Sequence, residues 1–200
     1  PIIAFEGIEG SGKTTHIDNV CKYLSKKKIK FIKIREPGGS LNSEKIRKLI
    51  LNNKSNFNKI TDLYLYLAAR NENMQGIIIK NYRKKIILID RFTDSTVAYQ
   101  HYGMNINLNL INYLNNFVTK SIKADFTFLN IVNKKNLLLR LNKRKSKNRY
   151  DKFKYSFYNK VQKGFIKISK NKKKYMIINS NLNLELNKKQ IIKKINFLTK

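Results

Sequence analysis

Five short apolar runs, rich in isoleucine, phenylalanine and tyrosine, have the length and composition of β-strands. They cover residues 2–5, 30–34, 85–90, 125–131 and 175–179. Elsewhere apolar residues recur every three or four positions, which is typical of helices that bury one face. These helical patterns cover residues 13–26, 41–52, 60–82, 94–102, 108–120, 134–143, 152–172 and 188–198. The alternation predicts an α/β fold with a mostly parallel central sheet and helices on both faces.

The 200 residues are enough for one domain with a substantial core and too few for two of ordinary size, so we expect a single domain over residues 1–200. No apolar run reaches the roughly 20 residues that a membrane-spanning helix needs, and the chain opens on a strand pattern without a charged leader. Cys21 is the only cysteine and has no intramolecular disulfide partner, which fits a reducing compartment. We therefore expect a cytoplasmic protein that does not enter a membrane.

The charge is strongly positive, because 43 lysine and arginine residues stand against 12 aspartate and glutamate residues, a net charge of +31. Such a charge would ordinarily indicate a polyanionic partner. The excess comes from lysine, in a chain also crowded with asparagine and isoleucine, and these three residues share adenine- and thymine-rich codons. No stretch alternates basic and aromatic residues as a nucleic-acid stacking surface would. We therefore interpret the charge as compositional drift and expect no specific nucleic-acid partner.

Residues that are rare in such a chain indicate where chemistry or steric fit requires them. Glycine is one of them, and five of its eight copies lie in the segments GIEGSG (7–12) and PGG (37–39). Arginine is another, and its eight copies recur in the short motifs described next. These motifs are therefore the first places to look for a functional site.

The first glycine-rich segment contains a phosphate-binding loop. Gly7, Gly12, Lys13 and Thr14 satisfy the pattern G-x-x-x-x-G-K-[ST], and the motif follows a strand and opens a helix. Glycines allow the backbone N–H groups to turn toward the phosphates of a nucleoside triphosphate, for which we expect ATP. Lys13 would reach the β- and γ-phosphates, and the Thr14 hydroxyl would bind Mg²⁺. The residues expected to contact ATP are Gly7, Ile8, Glu9, Gly10, Ser11, Gly12, Lys13, Thr14 and Thr15.

Two other strands end in residues that suit a site for anions. Arg35 and Glu36 end the second strand, and the third strand ends in Asp90, followed by Arg91. Because ligands bind at the carboxyl ends of parallel strands, we expect Asp90 to orient Mg²⁺ and Arg91 to bind a phosphate. A simple turn at residues 37–39 and structural salt bridges for Asp90 and Arg91 are the alternative interpretation.

The motifs FEGIEGSGKTT, REPGGS, LYLYLAAR and IDRFTDSTVAYQ occur in an order and at spacings that resemble those of bacterial thymidylate kinases. The resemblance is specific through about residue 103, and afterwards it rests on the order of strands and helices and on one basic segment. It implies the nucleoside-monophosphate-kinase fold of P-loop proteins. It also implies transfer of the γ-phosphate of ATP to dTMP, giving dTDP and ADP in dTTP biosynthesis, with Mg²⁺ as cofactor and a homodimer as the assembly.

The resemblance implies roles for residues around the acceptor phosphate. Glu9 would position the acceptor near the phosphates, and Arg91 would grip the dTMP phosphate. Glu36 and Arg47 would lie around the sugar and the phosphate, although a solvated helix face is the alternative for Arg47. Together with Lys13 and the lid arginines described below, Glu9 and Arg91 would form the catalytic group.

The base pocket implied by the resemblance comes from two helices. Tyr66 would stack on thymine, and Arg70, four residues later on the same helix face, would meet a base oxygen. Thr96 and Gln100, also four residues apart, would hydrogen-bond to the pyrimidine edge. Tyr99 would crowd the 2′ position of the sugar and favour deoxyribose. Tyr66 stands where the family usually has phenylalanine, so its hydroxyl needs a partner.

The basic segment NKRKSKNRYDK, approximately residues 142–152, is a short lid over ATP or a solvated loop. The resemblance implies that Arg144 and Arg149 contribute cations from this lid. The glycine and the acids that the family usually has there are absent or replaced, so we expect a less efficient closing step. The segment IINSN (177–181) also lacks the usual small acidic turn near adenine, which leaves the choice of donor base open.

Two alternatives accompany the thymidylate kinase interpretation. The first is another small P-loop nucleotide or nucleoside kinase with a different acceptor, against which the pyrimidine pocket of AAR and TVAYQ argues. The second is a basic nucleic-acid-binding ATPase that uses the positive surface. A panel of monophosphate acceptors distinguishes the first alternative, and added nucleic acid distinguishes the second.

Overall fold

The computed structural model of the protein describes residues 1–145, 147–170 and 173–199. The described part contains five strands, all parallel, in the spatial order β2-β3-β1-β4-β5. The strands are β1 (Ile2–Glu6), β2 (Phe31–Arg35), β3 (Ile86–Asp90), β4 (Phe126–Ile131) and β5 (Tyr175–Asn179). Each predicted strand is confirmed to within one residue at either end.

Helices connect consecutive strands, as a parallel sheet requires. The α-helices of the described part are α1 (Lys13–Lys26), α2 (Leu41–Leu51), α3 (Lys59–Asn73), α4 (Ile79–Asn81), α5 (Thr93–Thr96), α6 (Leu108–Thr119), α7 (Lys134–Asn142), α8 (Tyr155–Ser169) and α9 (Leu184–Leu198). One π-helical turn, Met74–Ile78, joins α3 to α4, and a second, Val97–Gly103, extends α5. A 3₁₀ turn covers Arg149–Lys152.

Helices cover both faces of the sheet, as predicted. On one face lie the buried apolar residues of α1 and α9, which are Ile17, Val20, Leu24, Ile191 and Ile195. On the other face Met74 and Ile78 of the first π-helical turn pack against Ile87 and Ile89 of β3. β1, the central strand, is buried at all five of its positions. The segment that follows β1 is therefore anchored at the middle of the sheet.

A third apolar cluster joins the ends of the strands to the segments that cover them. It contains Ile8 and Val132, just past β1 and β4, together with Tyr99 of the second π-helical turn. Tyr150 of the 3₁₀ turn and Phe165 of α8 belong to the same cluster. These contacts hold the predicted pocket residues and part of the predicted lid against the carboxyl edge of the sheet.

The start of α9 differs from the prediction. The helix begins at Leu184 rather than at residue 188. Asn183 caps it by accepting a hydrogen bond from Glu185 N at 2.8 Å. The surrounding sequence, NSNLNLELN, is so rich in asparagine that the capping residue is not distinctive, and Leu184 and Leu186 are exposed and give no helical period.

The internal geometry of three other predicted helices also differs. The pattern at 152–172 contains the end of a 3₁₀ turn and then α8, and its residues 171 and 172 lie outside the described part. The patterns at 60–82 and 94–102 each contain a π-helical turn. Such a turn inserts one residue into the helical period, and a pattern judged against 3.6 residues per turn does not indicate it.

None of the helices in the described ranges combines the length and the apolarity that crossing a bilayer demands. The cytoplasmic location and the single-domain organisation stay predictions.

Candidate active site

The loop between β1 and α1 has the backbone geometry of a phosphate-binding loop. Gly7, Gly10 and Gly12 have positive φ values of 137°, 68° and 88°. At Gly7 an added Cβ would come within 2.3 Å of the Asn130 carbonyl oxygen, so a larger residue does not fit there. Gly12 directly precedes α1, so the positive end of the helix dipole faces the loop. The backbone therefore has the shape that the motif predicts.

Lys13 lies folded across this loop. Its Nζ donates hydrogen bonds to the carbonyl oxygens of Gly7 and Ile8, both at 2.9 Å, and to Ser11 Oγ at 3.4 Å. Burial, with help from the positive charge of Arg91, lowers the pKa of Lys13 to about 8. The ammonium group is therefore held beside the position where the loop would bind phosphates.

The remaining loop residues either line the cavity described below or support the loop. Glu9, Gly10, Gly12, Lys13, Thr14 and Thr15 line it. Ile8 instead packs into the third apolar cluster, and the buried Ser11 supports Lys13. Their predicted contact with ATP would come from backbone N–H groups rather than side chains.

The end of β3 lies beside the start of α1 and brings the two predicted magnesium ligands together. Thr14 Oγ1 donates a hydrogen bond to Asp90 Oδ2 at 3.4 Å. Asp90 Oδ1 is buried and has no hydrogen-bond partner among the described residues. An unpaired carboxylate oxygen beside a hydroxyl suits Mg²⁺, which commonly takes one or two protein ligands and completes its coordination with phosphate and water. The described chain has no cluster of three His, Cys, Asp or Glu side chains that could hold a metal ion without a substrate.

Arg91 adopts the left-handed backbone conformation, with φ of 69°, which is uncommon for a residue other than glycine. Its Nη1 donates to the Gly7 carbonyl oxygen at 2.9 Å and to Ser95 Oγ at 3.3 Å, and its Nη2 donates to Glu9 Oε1 at 2.9 Å. Burial would lower the pKa of Arg91, but the interactions with Tyr99 and Glu9 outweigh it and raise the pKa. The guanidinium group is thus a fixed positive charge beside the phosphate-binding loop.

Glu9 lies between Arg91 and a tyrosine. Its Oε1 accepts the Arg91 hydrogen bond, and its Oε2 accepts a short hydrogen bond from the Tyr99 hydroxyl. Burial alone would raise the pKa of Glu9, but Arg91 and Lys13 outweigh it and hold the pKa below its usual value. Burial raises the pKa of Tyr99 well above its usual value, so the tyrosine keeps its proton and remains a donor. Glu9 is therefore an ionised carboxylate at neutral pH.

These groups surround a cavity of about 650 Å³, a volume typical of sites that bind small molecules. Most of the predicted ATP-side and acceptor-side residues line this single cavity. They are Glu9, Gly10, Gly12, Lys13, Thr14, Thr15, Glu36, Arg47, Tyr66, Arg70, Asp90, Arg91, Thr96, Tyr99, Gln100 and Arg144. The fold thus brings residues from the phosphate loop, the ends of β2 and β3, and several helices into one site.

Arg70 is more deeply involved in the protein's own hydrogen bonds than the sequence indicates. Its Nε donates to Glu36 Oε2 at 2.7 Å, and its Nη1 donates to Thr96 Oγ1 at 2.8 Å and to Asn115 Oδ1 at 2.7 Å. Its Nη2 donates to the Phe92 carbonyl oxygen at 2.9 Å. Four of the five N–H groups of the guanidinium are thereby used. One N–H group on Nη2 is left for a ligand.

Two other acceptor-side residues have buried atoms without a partner among the described residues. These atoms are Glu36 Oε1 and Gln100 Nε2. Burial raises the pKa of Glu36 in spite of the neighbouring Arg70. Because an unsatisfied buried polar atom costs free energy, both side chains are suited to a ligand that supplies the missing hydrogen bonds.

The other acceptor-side residues complete the wall of the cavity. Tyr66, one helical turn before Arg70, meets the ring of Tyr150 edge-on at a centroid distance of 6.1 Å. Arg47 Nη1 donates to the Pro37 carbonyl oxygen at 2.6 Å, so this arginine is not merely a solvated residue of α2. Thr96 and Gln100 both reach the cavity, although the π-helical turn begins between them and the α-helical spacing assumed for this pair does not apply.

The predicted lid arginines lie in different places. Arg144 lines the cavity and forms an ion pair with Asp151. Arg149 does not line it, because its Nη2 pairs with Asp62 on α3 and its Nε donates to the Ile50 carbonyl oxygen. The predicted lid, 142–152, also includes residue 146, which lies outside the described residues. The structure therefore does not bring Arg149 together with the other predicted catalytic residues.

Arg140, Tyr150 and Ser180 are among the cavity-lining residues that no sequence motif assigned to the site. Arg140 donates from Nη1 to the Gly10 carbonyl oxygen at 2.9 Å and from Nη2 to the Ser180 carbonyl oxygen at 2.6 Å. Ser180 itself has a buried hydroxyl without a described partner, and Tyr150 lies between the tyrosines of the acceptor side. Arg140 could have been suspected because arginine is rare in this chain. Ser180 has no such signal in its asparagine-rich surroundings.

Comparison with known proteins gives consistent results. The family model for thymidylate kinase matches residues 5–191. The thymidylate kinase of Thermosipho africanus is 38% identical over 184 residues, which cover 92% of this chain and 91% of that protein. The thymidylate kinase of Thermosipho melanesiensis is 40% identical, over 88% and 87% of the two chains. The crystal structure of thymidylate kinase from Ehrlichia chaffeensis superposes with a TM-score of 0.79 at 32% identity and covers 98% of this chain and 97% of that one.

Proposed function

The chain belongs to the thymidylate kinase family, and we propose that the cavity described above is where it transfers the γ-phosphate of ATP to dTMP. The main support for this assignment is that two sets of residues, one suited to each substrate, line the same cavity. Lys13, Thr14 and Asp90 suit a triphosphate and its metal, while Arg91 and Glu9 suit the acceptor. Phosphoryl transfer depends mainly on aligning two substrates and neutralising their charge, which this arrangement supports.

On the donor side, Lys13 would exchange its hydrogen bonds to the Gly7 and Ile8 carbonyl oxygens for phosphate oxygens of ATP. Thr14 and Asp90 would hold Mg²⁺, and the unpaired Asp90 Oδ1 supports this proposal. The metal held by these two residues would supply positive charge that stabilises the phosphoryl group during transfer. The loop N–H groups and the N-terminus of α1 would orient the chain of phosphates.

On the acceptor side, Arg91 is held by the Gly7 carbonyl oxygen, Ser95 Oγ and Glu9, and two of its five N–H groups make none of these bonds. They would bind the dTMP phosphate and place one of its oxygens toward the γ-phosphate. Glu9 would fix the guanidinium and, through Tyr99, the sugar side of the pocket. The acceptor phosphate is already ionised at neutral pH, so no general base is required to activate it.

The base would occupy the part of the cavity bounded by α3 and the second π-helical turn. Tyr66 would stack on the pyrimidine, and the remaining Nη2 hydrogen of Arg70 would meet a base oxygen. Gln100 Nε2, which lacks a described partner, would donate to the same edge of the base. Thr96 supports Arg70 through its hydroxyl oxygen, and Tyr99 would limit the space at the 2′ position of the sugar.

Glu36 and Arg47 would contact the sugar and the phosphate from the side of β2, because both line the cavity and Glu36 Oε1 has no described partner. Arg144 would contribute a lid cation near the ATP phosphates. Arg149 would reach ATP only by leaving Asp62, whereas Arg140 already contacts the phosphate loop. Arg140 and Arg144 are therefore the arginines from this region that the geometry favours.

We also propose that the enzyme is a homodimer that associates through α6 and the adjoining face of α3. Leu110, Tyr113 and Phe117 form an exposed apolar stripe on α6, and Tyr64 of α3 is exposed as well. Single exposed apolar residues are ordinary, but a stripe of large side chains on packed neighbouring helices indicates an interface. Phe117→Lys should halve the mass measured by light scattering, whereas Phe197→Lys, at a similarly exposed position on α9, should not. Equal masses for both variants and the parent dimer would contradict this interface.

The function is tested by steady-state assays that couple ADP formation to a spectroscopic signal. ATP and Mg²⁺ are held constant while dTMP, dUMP, dCMP and AMP are compared as acceptors. We expect the highest kcat/KM for dTMP, because the tyrosine, arginine and glutamine of the pocket suit a pyrimidine with carbonyl oxygens. A preference for AMP, or ATP consumption that does not depend on a monophosphate, would contradict the proposed acceptor site.

A further inference from the structure

Glu6 ends β1, directly before the phosphate-binding loop, and the mechanism above gives it no role. Its side chain is buried, with 1% of the residue exposed. Burial and the nearby Asp94 raise the pKa of Glu6 to about 8. Hydrogen bonds must offset the free-energy cost of burying a carboxyl group, so the hydrogen-bond partners of Glu6 indicate which part of the structure it stabilises.

The partners of Glu6 all lie in the segment after Arg91. Oε1 accepts hydrogen bonds from Phe92 N at 2.7 Å and from Ser95 N at 3.3 Å. Oε2 accepts a hydrogen bond from Ser95 Oγ at 2.5 Å. Glu6 therefore ties the end of the central strand to the first turn of α5 across 86 to 89 residues of sequence.

This contact replaces a missing helix cap. Phe92 is the N-cap residue of α5, and no side-chain cap is formed there by the capping residue itself. Five other helices are capped by their own N-cap side chains, those of Ser40, Asn58, Asn107, Asn133 and Asn183. In α5 the acceptor comes instead from a distant strand, which fixes the position of the helix start and accepts hydrogen bonds from Phe92 N and Ser95 N.

The fixed helix start bears directly on Arg91. This residue immediately precedes Phe92 and has a left-handed backbone, which is unfavourable unless its surroundings hold it. Ser95 Oγ, which donates to Glu6, also accepts a hydrogen bond from Arg91 Nη1 at 3.3 Å. Glu6 thus restrains the backbone on the carboxyl side of Arg91 and, through Ser95, its guanidinium.

We propose that Glu6 is a positioning residue for the acceptor phosphate: its carboxyl group caps α5 from β1 and thereby holds Arg91 in its phosphate-binding conformation. The proposal rests on the role proposed above for Arg91. It predicts that the binding of a nucleoside monophosphate, but not of the corresponding nucleoside, depends on an acceptor oxygen at position 6.

Two variants with side chains of similar length separate this role from simple packing. Glu6→Met fills the space but has no oxygen to accept from Phe92 N and Ser95 N, whereas Glu6→Gln keeps an amide oxygen for them and an NH₂ group for Ser95 Oγ. Isothermal titration calorimetry measures dTMP and thymidine binding, and initial rates give KM for ATP. We expect Glu6→Met to weaken dTMP binding about tenfold and Glu6→Gln to restore it to within about twofold of the parent.

In both variants the affinity for thymidine and KM for ATP should stay within about twofold of the parent, since neither involves the acceptor phosphate. Asn107→Ala removes the cap of α6 and serves as a matched control for a lost helix cap. It should lower the unfolding temperature without weakening dTMP binding. A parallel loss of dTMP and thymidine binding in Glu6→Met, or equal losses in Glu6→Met and Glu6→Gln, would overturn the proposal.

The same measurements in an Arg91→Met background distinguish the failure of this proposal from the failure of the proposed function. If Arg91→Met alone leaves dTMP binding unchanged, the assigned role of Arg91 is wrong. If Arg91→Met weakens binding and Glu6→Met then adds no further loss, Glu6 acts through Arg91 as proposed. If Glu6→Met weakens binding equally in both backgrounds, Glu6 acts by another route and its positioning role is wrong. Should Glu6→Met fail to fold, Ser95→Ala, which keeps the Phe92 bond but removes the link to Arg91 Nη1, is carried through the same cycle with the same criteria.

Discussion

Replacing Arg70 should destabilise the protein far more than replacing a surface arginine would. In the structure the Arg70 guanidinium pairs with Glu36 at 2.7 Å, and the side chains are only 3% and 4% exposed. The substitution Arg70→Met removes the cation but leaves the carboxylate of Glu36 buried. It also removes the donor to Thr96, Asn115 and the Phe92 carbonyl oxygen. The main cost is the uncompensated buried charge.

Breaking a buried ion pair by removing one partner costs about 3–5 kcal/mol. For a protein of this size each kcal/mol lowers the unfolding temperature by about 2–4 °C, so the expected shift is about 6–20 °C. The double substitution Arg70→Met and Glu36→Gln removes both charges and should recover part of this loss. Arg35→Met is the matched control, because it breaks an arginine–glutamate pair in which the arginine side chain is 53% exposed, and it should cost no more than about 1 kcal/mol.

The loss of stability in Arg70→Met should also depend on pH in a defined direction. Burial already raises the pKa of Glu36 in the folded protein, and removing Arg70 would raise it further. In Arg70→Met the pKa of Glu36 is therefore higher in the folded state than in the unfolded state. At pH values between these two pKa values, the folded state binds more protons than the unfolded state. The free energy of unfolding of Arg70→Met should therefore fall as the pH rises through that interval. Thermal unfolding by circular dichroism between pH 5 and pH 8 measures this. An Arg70→Met variant that melts within about 2 °C of the parent at both pH values would refute the buried-pair reasoning.

Three further predictions concern the donor site and the charge of the protein. Lys13→Met should reduce kcat by on the order of a hundredfold or more, because Lys13 contacts the charge that develops during transfer, while circular dichroism should show that the protein remains folded. Turnover comparable to that of the parent would contradict the loop assignment. Asp90→Asn should raise the Mg²⁺ concentration for half-maximal activity by about 10–100-fold, whereas an unchanged titration would remove Asp90 from the metal site. Added DNA or RNA at physiological salt should leave ATP turnover unaffected, and salt-resistant, sequence-selective binding in a mobility-shift assay would instead support a nucleic-acid role.

The strands and most helices could be predicted because their signals are local. Each apolar run that became a strand lies between polar segments, and the burial of β1 at every position fits its continuous apolar run. The order of the strands is not local, since β1 lies between β3 and β4 for reasons of packing over the whole sheet. The π-helical turn at Val97–Gly103 is a further case: it packs against α8, and such a contact between distant segments leaves no signal in the local period.

The candidate site divides in the same way. The rule that ligands bind at the carboxyl ends of parallel strands was enough to bring Asp90 beside Thr14 from sequence positions 76 residues apart. It could not indicate that Arg149 would pair with Asp62, because the competing partner lies 87 residues away on another helix. The role of Glu6 has no signal in the sequence for a related reason: a single carboxylate at the end of an apolar strand forms no motif, and its hydrogen-bond partners lie 86 to 89 residues away, after Arg91.

The compositional drift inferred from the sequence would account for the lysines of this chain but not for the pairing of its arginines. The chain has eight arginines and, by subtraction from 43, 35 lysines, yet arginine supplies five of the seven ion pairs among the described residues. The five arginine pairs are Arg35–Glu44, Arg70–Glu36, Arg91–Glu9, Arg144–Asp151 and Arg149–Asp62. A planar guanidinium group can bind a carboxylate and still direct N–H groups elsewhere, whereas the compact, strongly hydrated ammonium group of lysine cannot hold several partners in one plane. The two lysine ion pairs, Lys33–Asp18 and Lys188–Glu185, are formed by side chains that are about half exposed to solvent or more. Although Lys13 lies close to Glu9 in the phosphate loop, the ion pairs with the site carboxylates of Glu9 and Glu36 are made by Arg91 and Arg70. A lysine in place of Arg70 or Arg91 would therefore keep the net charge while losing the geometry.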